Sequence, residues 1–162
     1  MHILLTRPLD DSKDLILKFS SLNHKVSHLP LLSIQKKEFI EPDYHDFKGI
    51  IFTSANALKY LDVSKIDKYI ICFCVGAATE RKAKDLGFQN IFCAEGNVNN
   101  LKELILQNFN PKSGPILYVS GEIVSYNLDK DLVAEKYAVK RIINYTAIPN
   151  EKLNDNFITE IK

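Results

Sequence analysis

No stretch of this sequence is apolar for long enough to cross a bilayer. Its longest uninterrupted apolar run, Tyr69 to Val75, falls far short of a membrane span. The sequence opens directly on the strand-like Met1-His2-Ile3-Leu4-Leu5-Thr6, so no signal peptide is expected and the chain reads as cytoplasmic. Neither sign of charge dominates. Twenty-one Lys and Arg stand against 20 Asp and Glu, a net charge of +1, and the basic stripe of a nucleic-acid binder is missing. Cysteine is scarce. Cys72 and Cys74 alternate on one face of an apolar strand and Cys93 sits in the next, so all three read as small buried hydrophobes. His2, His24, His28 and His45 are scattered without ligand spacing, which leaves no basis for a zinc site.

The familiar short motifs are missing as well. Cys74-Val75-Gly76-Ala77-Ala78-Thr79 has one glycine where a dinucleotide fingerprint needs a spaced set. No P-loop lysine follows Gly96 or Gly121, and no G-x-S-x-G elbow occurs. Thr53 stands where a receiver domain would end its central strand in aspartate.

What is present is one recurring unit: a short apolar strand, a small polar turn, then an amphipathic helix. The turns are Thr6-Arg7-Pro8, Thr53-Ser54-Ala55-Asn56, Gly76-Ala77-Ala78-Thr79, Glu95-Gly96-Asn97 and Ser120-Gly121-Glu122. Strands are expected at 2–6, 25–29, 49–53, 69–75, 90–94, 115–119 and 139–145, with 30–34 extending the second. Helices are expected at 9–22, 54–61, 77–86, 98–109 and 128–136, and residues 36–46 form a polar linker. Residues 151–162 read as the start of a helix that no further strand follows. The alternation defines an α/β protein of parallel βαβ units. At 162 residues, 46% apolar and 25% charged, the chain suffices for one well-buried domain or one and a fraction.

In a parallel sheet each strand-to-helix turn brings free helix N–H groups to the same edge, where anions bind. Five hydroxyl-, amide- and glycine-rich turns there point to a cleft for a large anionic ligand. Each residue also has a plainer reading. Ser54 suits a helix N-cap, Thr79 is ordinary in a first helical turn, and Gly76 and Gly121 suit tight turns that also let backbone approach a ligand. Arg7 pairs either with a ligand carboxylate or with Asp10 or Asp11. Tyr145, closing a strand, offers a proton donor or packs half-buried, whereas Tyr118 and Tyr137 read as packing.

Several segments together resemble the uroporphyrinogen-III synthase family in order and spacing. They are Leu4-Leu5-Thr6-Arg7-Pro8, Pro30-Leu31-Leu32-Ser33-Ile34, Ile51-Phe52-Thr53-Ser54-Ala55-Asn56-Ala57, Val75-Gly76-Ala77-Ala78-Thr79, Gly87-Phe88, Ile116-Leu117-Tyr118-Val119-Ser120-Gly121 and Tyr145-Thr146. The resemblance implies two flavodoxin-like or Rossmann-like domains joined by a two-stranded crossover. Residues 1–34 with 150–162 would form part of the first, and 35–149 the second with crossover segments at both ends. It implies a lyase that closes the linear tetrapyrrole hydroxymethylbilane into uroporphyrinogen III, losing water and inverting ring D, without metal or organic cofactor. The substrate would be received from hydroxymethylbilane synthase, and the enzyme would be a monomer that touches neither nucleic acid nor membrane. Tyr145 would act as general acid; Arg7, Ser54, Asn56 and Thr79 would hold carboxylates; backbone at Gly76, Ala77 and Gly121 would complete the clamp.

The sequence departs from the family pattern in two places. No arginine follows Gly121, where Val124-Ser125 stands, and Lys136-Tyr137-Ala138 turns the chain where a glycine is usual. The first domain also lacks its remaining βα units, so this chain is expected to be a fragment with weak or no activity. The competing expectation is a non-catalytic flavodoxin-like module that binds an anionic small molecule or a partner protein.

Overall fold

The computed structural model describes residues 1–151; the helix expected from residue 151 onward falls on 152–162, outside the described residues. The chain divides into two compact units, residues 1–35 with 147–162 and residues 36–146.

In the first unit, strand β1 (His2–Leu5), helix α1 (Leu9–Ser21) and strand β2 (Lys25–His28) form one βαβ turn, with β1 and β2 parallel. Pro8 occupies the N-cap of α1, and Asp10 and Asp11 in the first turn favour the helix's positive end. The expected extension of β2 through 30–34 does not occur. Leu29 and Leu31 still donate to the carbonyls of Leu5 and Thr6, at 2.8 and 2.9 Å, but Pro30 between them has no N–H to offer. The chain restarts as β3 (Leu32–Lys36), which pairs with the last strand, β8 (Val139–Pro149), instead of with β1 and β2. The Ser33 hydroxyl reaches the Ile148 carbonyl at 3.5 Å, and the Asn150 N–H donates to Leu31 at 2.9 Å.

The second unit is built on strands β4 (Gly49–Phe52), β5 (Ile71–Val75), β6 (Asn90–Ala94), β7 (Ile116–Gly121) and the first part of β8. They run parallel in the order β8-β7-β4-β5-β6. Between them lie helices α2 (Ala55–Lys59), α3 (Ala77–Asp85), α4 (Val98–Asn108) and α5 (Leu128–Ala134). A short 3-10 turn, Tyr44–Asp46, closes the segment expected as a linker.

Period-two alternation sorts this unit's core into two layers. Ile50, Phe52, Cys72, Cys74, Leu117 and Val119 face α2 and α3. Ile51, Phe73, Ile116 and Tyr118 face Leu101 and Ile105 of α4 and Leu128 and Leu132 of α5. Cys93 is only half-buried, unlike the fully enclosed Cys72 and Cys74, because β6 is the edge strand of this order. Counted within the unit, its strands lie in the order five-four-one-two-three, which read from the other edge is the 3-2-1-4-5 order of a doubly wound sheet. Strands one and four are adjacent, and there the helices change face. That switch point falls between β4 and β7.

Candidate functional site

In an open parallel sheet ligands bind beyond the carboxyl ends of the strands at the switch point. A cavity of about 170 Å³ lies there in the second unit. Its lining includes Thr53 and Ser54 after β4, Tyr118 on β7, Ser125 and Tyr126 in the loop after β7, and Tyr145 on β8. Val98 opens α4 at its side, and Ile123 and Val124 contribute apolar surface, Ile123 being 81% exposed.

Tyr118 and Thr53 meet at the β4–β7 junction, with 3.3 Å between their hydroxyl oxygens. Their strands are in register, Ile51 opposite Tyr118, so Tyr118 needs to reach only two residues along, past Phe52, to meet Thr53. Tyr118 is therefore more than the packing residue expected from sequence. Burial pushes its phenol up, while the Thr53 hydrogen bond and the Arg141 guanidinium pull it the other way. Tyr137 does pack, donating its hydroxyl to the Phe109 carbonyl at 2.8 Å.

Ser54 caps α2, accepting the Asn56 N–H at 3.2 Å, and Asn56 follows it in the first turn. Tyr145 stands across from Gly121, and among the described residues its hydroxyl makes no hydrogen bond. Gly121 is the last residue of β7, not the member of a tight turn that the sequence suggests. Its lack of a side chain serves close approach: a Cβ there would stand 2.7 Å from two ring carbons of Tyr145. Its carbonyl accepts from Arg141 at 2.9 Å and from the Ser120 hydroxyl at 3.0 Å, so that oxygen already has partners within the fold.

Gly76 and Ala77 lie one strand further along the same edge, at the start of α3. Gly76 adopts φ +81° and ψ 146°, a conformation nearly confined to glycine. Ala77 is exposed. Thr79 faces the other way: it is 4% exposed and shares the buried stripe of α3 with Ala83 one turn on. Residues four apart lie on one helix face, so the two are buried together.

Arg7 belongs to the first unit. Among the described residues its guanidinium makes no ion pair; Asp10 binds Lys13 at 2.8 Å instead. The Arg7 carbonyl accepts from the Ser12 hydroxyl at 3.2 Å and lies 2.8 Å from His28 Nε2.

Arg141, on β8, is a residue that sequence reasoning missed. Its Nε donates to Ser120 Oγ at 2.8 Å, and its Nη2 donates to the carbonyls of Gly121 at 2.9 Å and Glu122 at 3.3 Å. The guanidinium carbon lies 5.8 Å from the centre of the Tyr118 ring. Glu122 is held on its other side by Lys37 and by the Thr146 hydroxyl at 2.9 Å, and these partners pull its carboxyl below the usual range. Among the described residues no three of His, Cys, Asp and Glu converge into a metal-holding group, and no helix is long and apolar enough to cross a membrane.

A mixed α/β fold with a parallel, doubly wound unit and a hydroxyl-lined cavity at its switch point defines a doubly wound α/β protein. The family model described as uroporphyrinogen-III synthase HemD matches residues 13–162, and the chain belongs to that family. Among solved structures it is similar to the uroporphyrinogen-III synthetase of Helicobacter pylori, with TM-score 0.63 and 18% identity, over 99% of this chain and 67% of that one. It is also similar to a mutant uroporphyrinogen III synthase of Thermus thermophilus, with TM-score 0.55 and 14% identity, over 93% of this chain and 64% of that one. The chain thus spans about two-thirds of the length of these relatives. No curated protein matches it significantly.

Proposed function

We propose that this chain acts as its family's name says, closing hydroxymethylbilane into uroporphyrinogen III with loss of water and inversion of ring D, a lyase reaction. Family membership over residues 13–162 carries this reading, and the hydroxyl-lined cavity at the switch point supports it. The substrate is a flexible chain bearing many carboxylates, and loss of its hydroxyl already yields a reactive electrophile. The protein's task is mainly to hold it folded, a role suited to positioned hydroxyls and backbone amides.

In this reading Tyr145 donates the proton with which the substrate hydroxyl leaves as water. The electrophilic carbon so formed bonds the substituted α-carbon of ring D to give a spiro intermediate. That α-carbon's original methylene bond then breaks, and the freed methylene bonds the ring's other α-carbon, which inverts the ring. The ring proton released on closure restores the phenol. Ser54, Asn56 and the backbone at Gly76 and Ala77 hold side-chain carboxylates. Gly121 contributes by admitting the Tyr145 ring, and Arg7 is a further carboxylate partner. The protein works as a cytoplasmic monomer supplied by hydroxymethylbilane synthase.

The test is to incubate the chain with freshly made hydroxymethylbilane and separate the products. Weak formation of type III uroporphyrinogen above the spontaneous type I background is expected of a chain two-thirds the length of its relatives; type I alone overturns the reading that this chain is itself a catalyst.

A further inference from the structure

A site for a polycarboxylate is expected to present positive charge, yet among the described residues no lysine or arginine lines the switch-point cavity. The loop that follows β7, Glu122-Ile123-Val124-Ser125-Tyr126, has no basic residue either. One guanidinium stands beside the lining residue Tyr118. Arg141 reaches from β8 to the carboxyl end of β7, where it takes the Ser120 hydroxyl oxygen and the carbonyls of Gly121 and Glu122. It also lies beside the ring of Tyr118, whose hydroxyl meets Thr53 on the cavity wall.

We propose that Arg141 is a positioning residue of this site and supplies positive charge behind its Tyr118–Thr53 wall, for a polycarboxylated tetrapyrrole. The inference rests on the reading of the ligand given above.

Two effects support it. At the carboxyl edge of a parallel sheet the strand-end carbonyls point outward and repel an incoming carboxylate. One guanidinium nitrogen, Nη2, donates to both of these oxygens while Nε holds Ser120 Oγ, so the two carbonyls already have a cationic partner. The same group remains a full charge next to the Tyr118–Thr53 pair, within a Debye length of a carboxylate bound in the cavity. Asp129 acts on the Tyr118 phenol with the opposite sign. On Tyr118 the positive contribution comes from Arg141, which opposes Asp129 there, while Lys102 acts with the same sign on Tyr126 elsewhere in the lining.

A purely structural clamp predicts something different. It would lower stability when removed, without altering how the folded protein responds to an anionic ligand or to salt. The experiment compares the full chain with Arg141→Gln, which keeps a donor but no charge, and Arg141→Lys, which keeps the charge but not the fork. Binding of uroporphyrin III is titrated at low and moderate salt, with thermal melting recorded alongside.

The expected result is a loss of about tenfold or more in affinity for Arg141→Gln, with a shallower salt dependence, while Arg141→Lys stays within about threefold of the parent. Binding by Arg141→Gln within about twofold of the parent, or equal losses in the two variants, overturns the inference. Failure of the parent chain to bind overturns the polycarboxylate reading together with it. A parent that binds but forms no type III product overturns the catalytic reading alone, and the comparison of variants still decides the role of Arg141. Should the Gln variant not fold, Arg141→Met against Arg141→Lys gives the same contrast.

Discussion

Gly121 and Tyr145 face each other across β7 and β8, and a Cβ on Gly121 would stand 2.7 Å from two carbons of the tyrosine ring and 3.0 Å from its oxygen. A register shift between Ser120 and Gly121 brings the two opposite each other. The glycine thus admits the ring, and the ring fills the space at the end of the strand.

Gly121→Ala is expected to displace Tyr145, destabilising the chain by about 1–3 kcal/mol through overpacking. Type III product should fall more than stability alone explains, because the displaced hydroxyl is the assigned proton donor. Urea unfolding with the product assay checks both. A variant of parental stability and activity would show that the ring has room to move.

Tyr118 and Thr53 predict a graded pair of effects. Tyr118→Phe removes a part-buried hydrogen bond and is expected to cost about 0.5–1.5 kcal/mol. Thr53→Val removes the same bond from the other side. If the two hydroxyls act as one unit, the double variant loses much less than the sum of the single losses, which a double-mutant cycle in urea reads directly.

Two backbone positions predict opposite signs. Gly76→Ala meets no atom within 4 Å but must adopt φ +81°, so strain alone is expected to cost about 1–3 kcal/mol. Lys136 already sits at φ +70° in the turn before β8. Lys136→Gly removes a left-handed strain of about 1–2 kcal/mol, partly offset by glycine's entropy, so a small rise in melting temperature is expected.

Burial pushes the Cys72 thiol from its ordinary value of 9.0 up to about 12, with Cys93 adding in the same direction. The folded state therefore keeps this proton where the unfolded chain releases it. The stabilising contribution is whole below pH 9.0 and is lost progressively as the pH climbs toward 12, at about 1.4 kcal/mol per pH unit. Cys72→Ala should flatten the alkaline fall in urea stability by that slope. An unchanged slope would contradict the assignment.

The sequence carried the strands and helices well because each unit repeats one pattern: an apolar run, a polar turn, an apolar stripe. It could not carry strand order, which depends on which strands pair across long separations. The switch point therefore became visible only when β4 and β7 were found side by side. Tyr118 reads from sequence as core because its neighbours on β7 are apolar, and only the register with β4 brings its hydroxyl to Thr53. Arg141 draws no sequence reading, because no local signal marks a side chain whose partners lie about twenty positions away. Thr79 shows the reverse: a residue type fit for carboxylates, placed by helical period on the buried face. The break of the second strand at Pro30 was legible in principle, since proline cannot extend a ladder.

The most direct measurement is ring-labelled tyrosine NMR on the full chain during titration with uroporphyrin III. Tyr118, Tyr126 and Tyr145 line the switch-point cavity, whereas Tyr44 and Tyr69 line a separate hollow at the opposite, amino-terminal edge of β5. Assignment by single replacements with phenylalanine makes each signal readable. The account predicts shifts at Tyr118, Tyr126 and Tyr145 while Tyr44 and Tyr69 stay in place. Shifts confined to Tyr44 and Tyr69, or no shifts at saturating ligand, would contradict it.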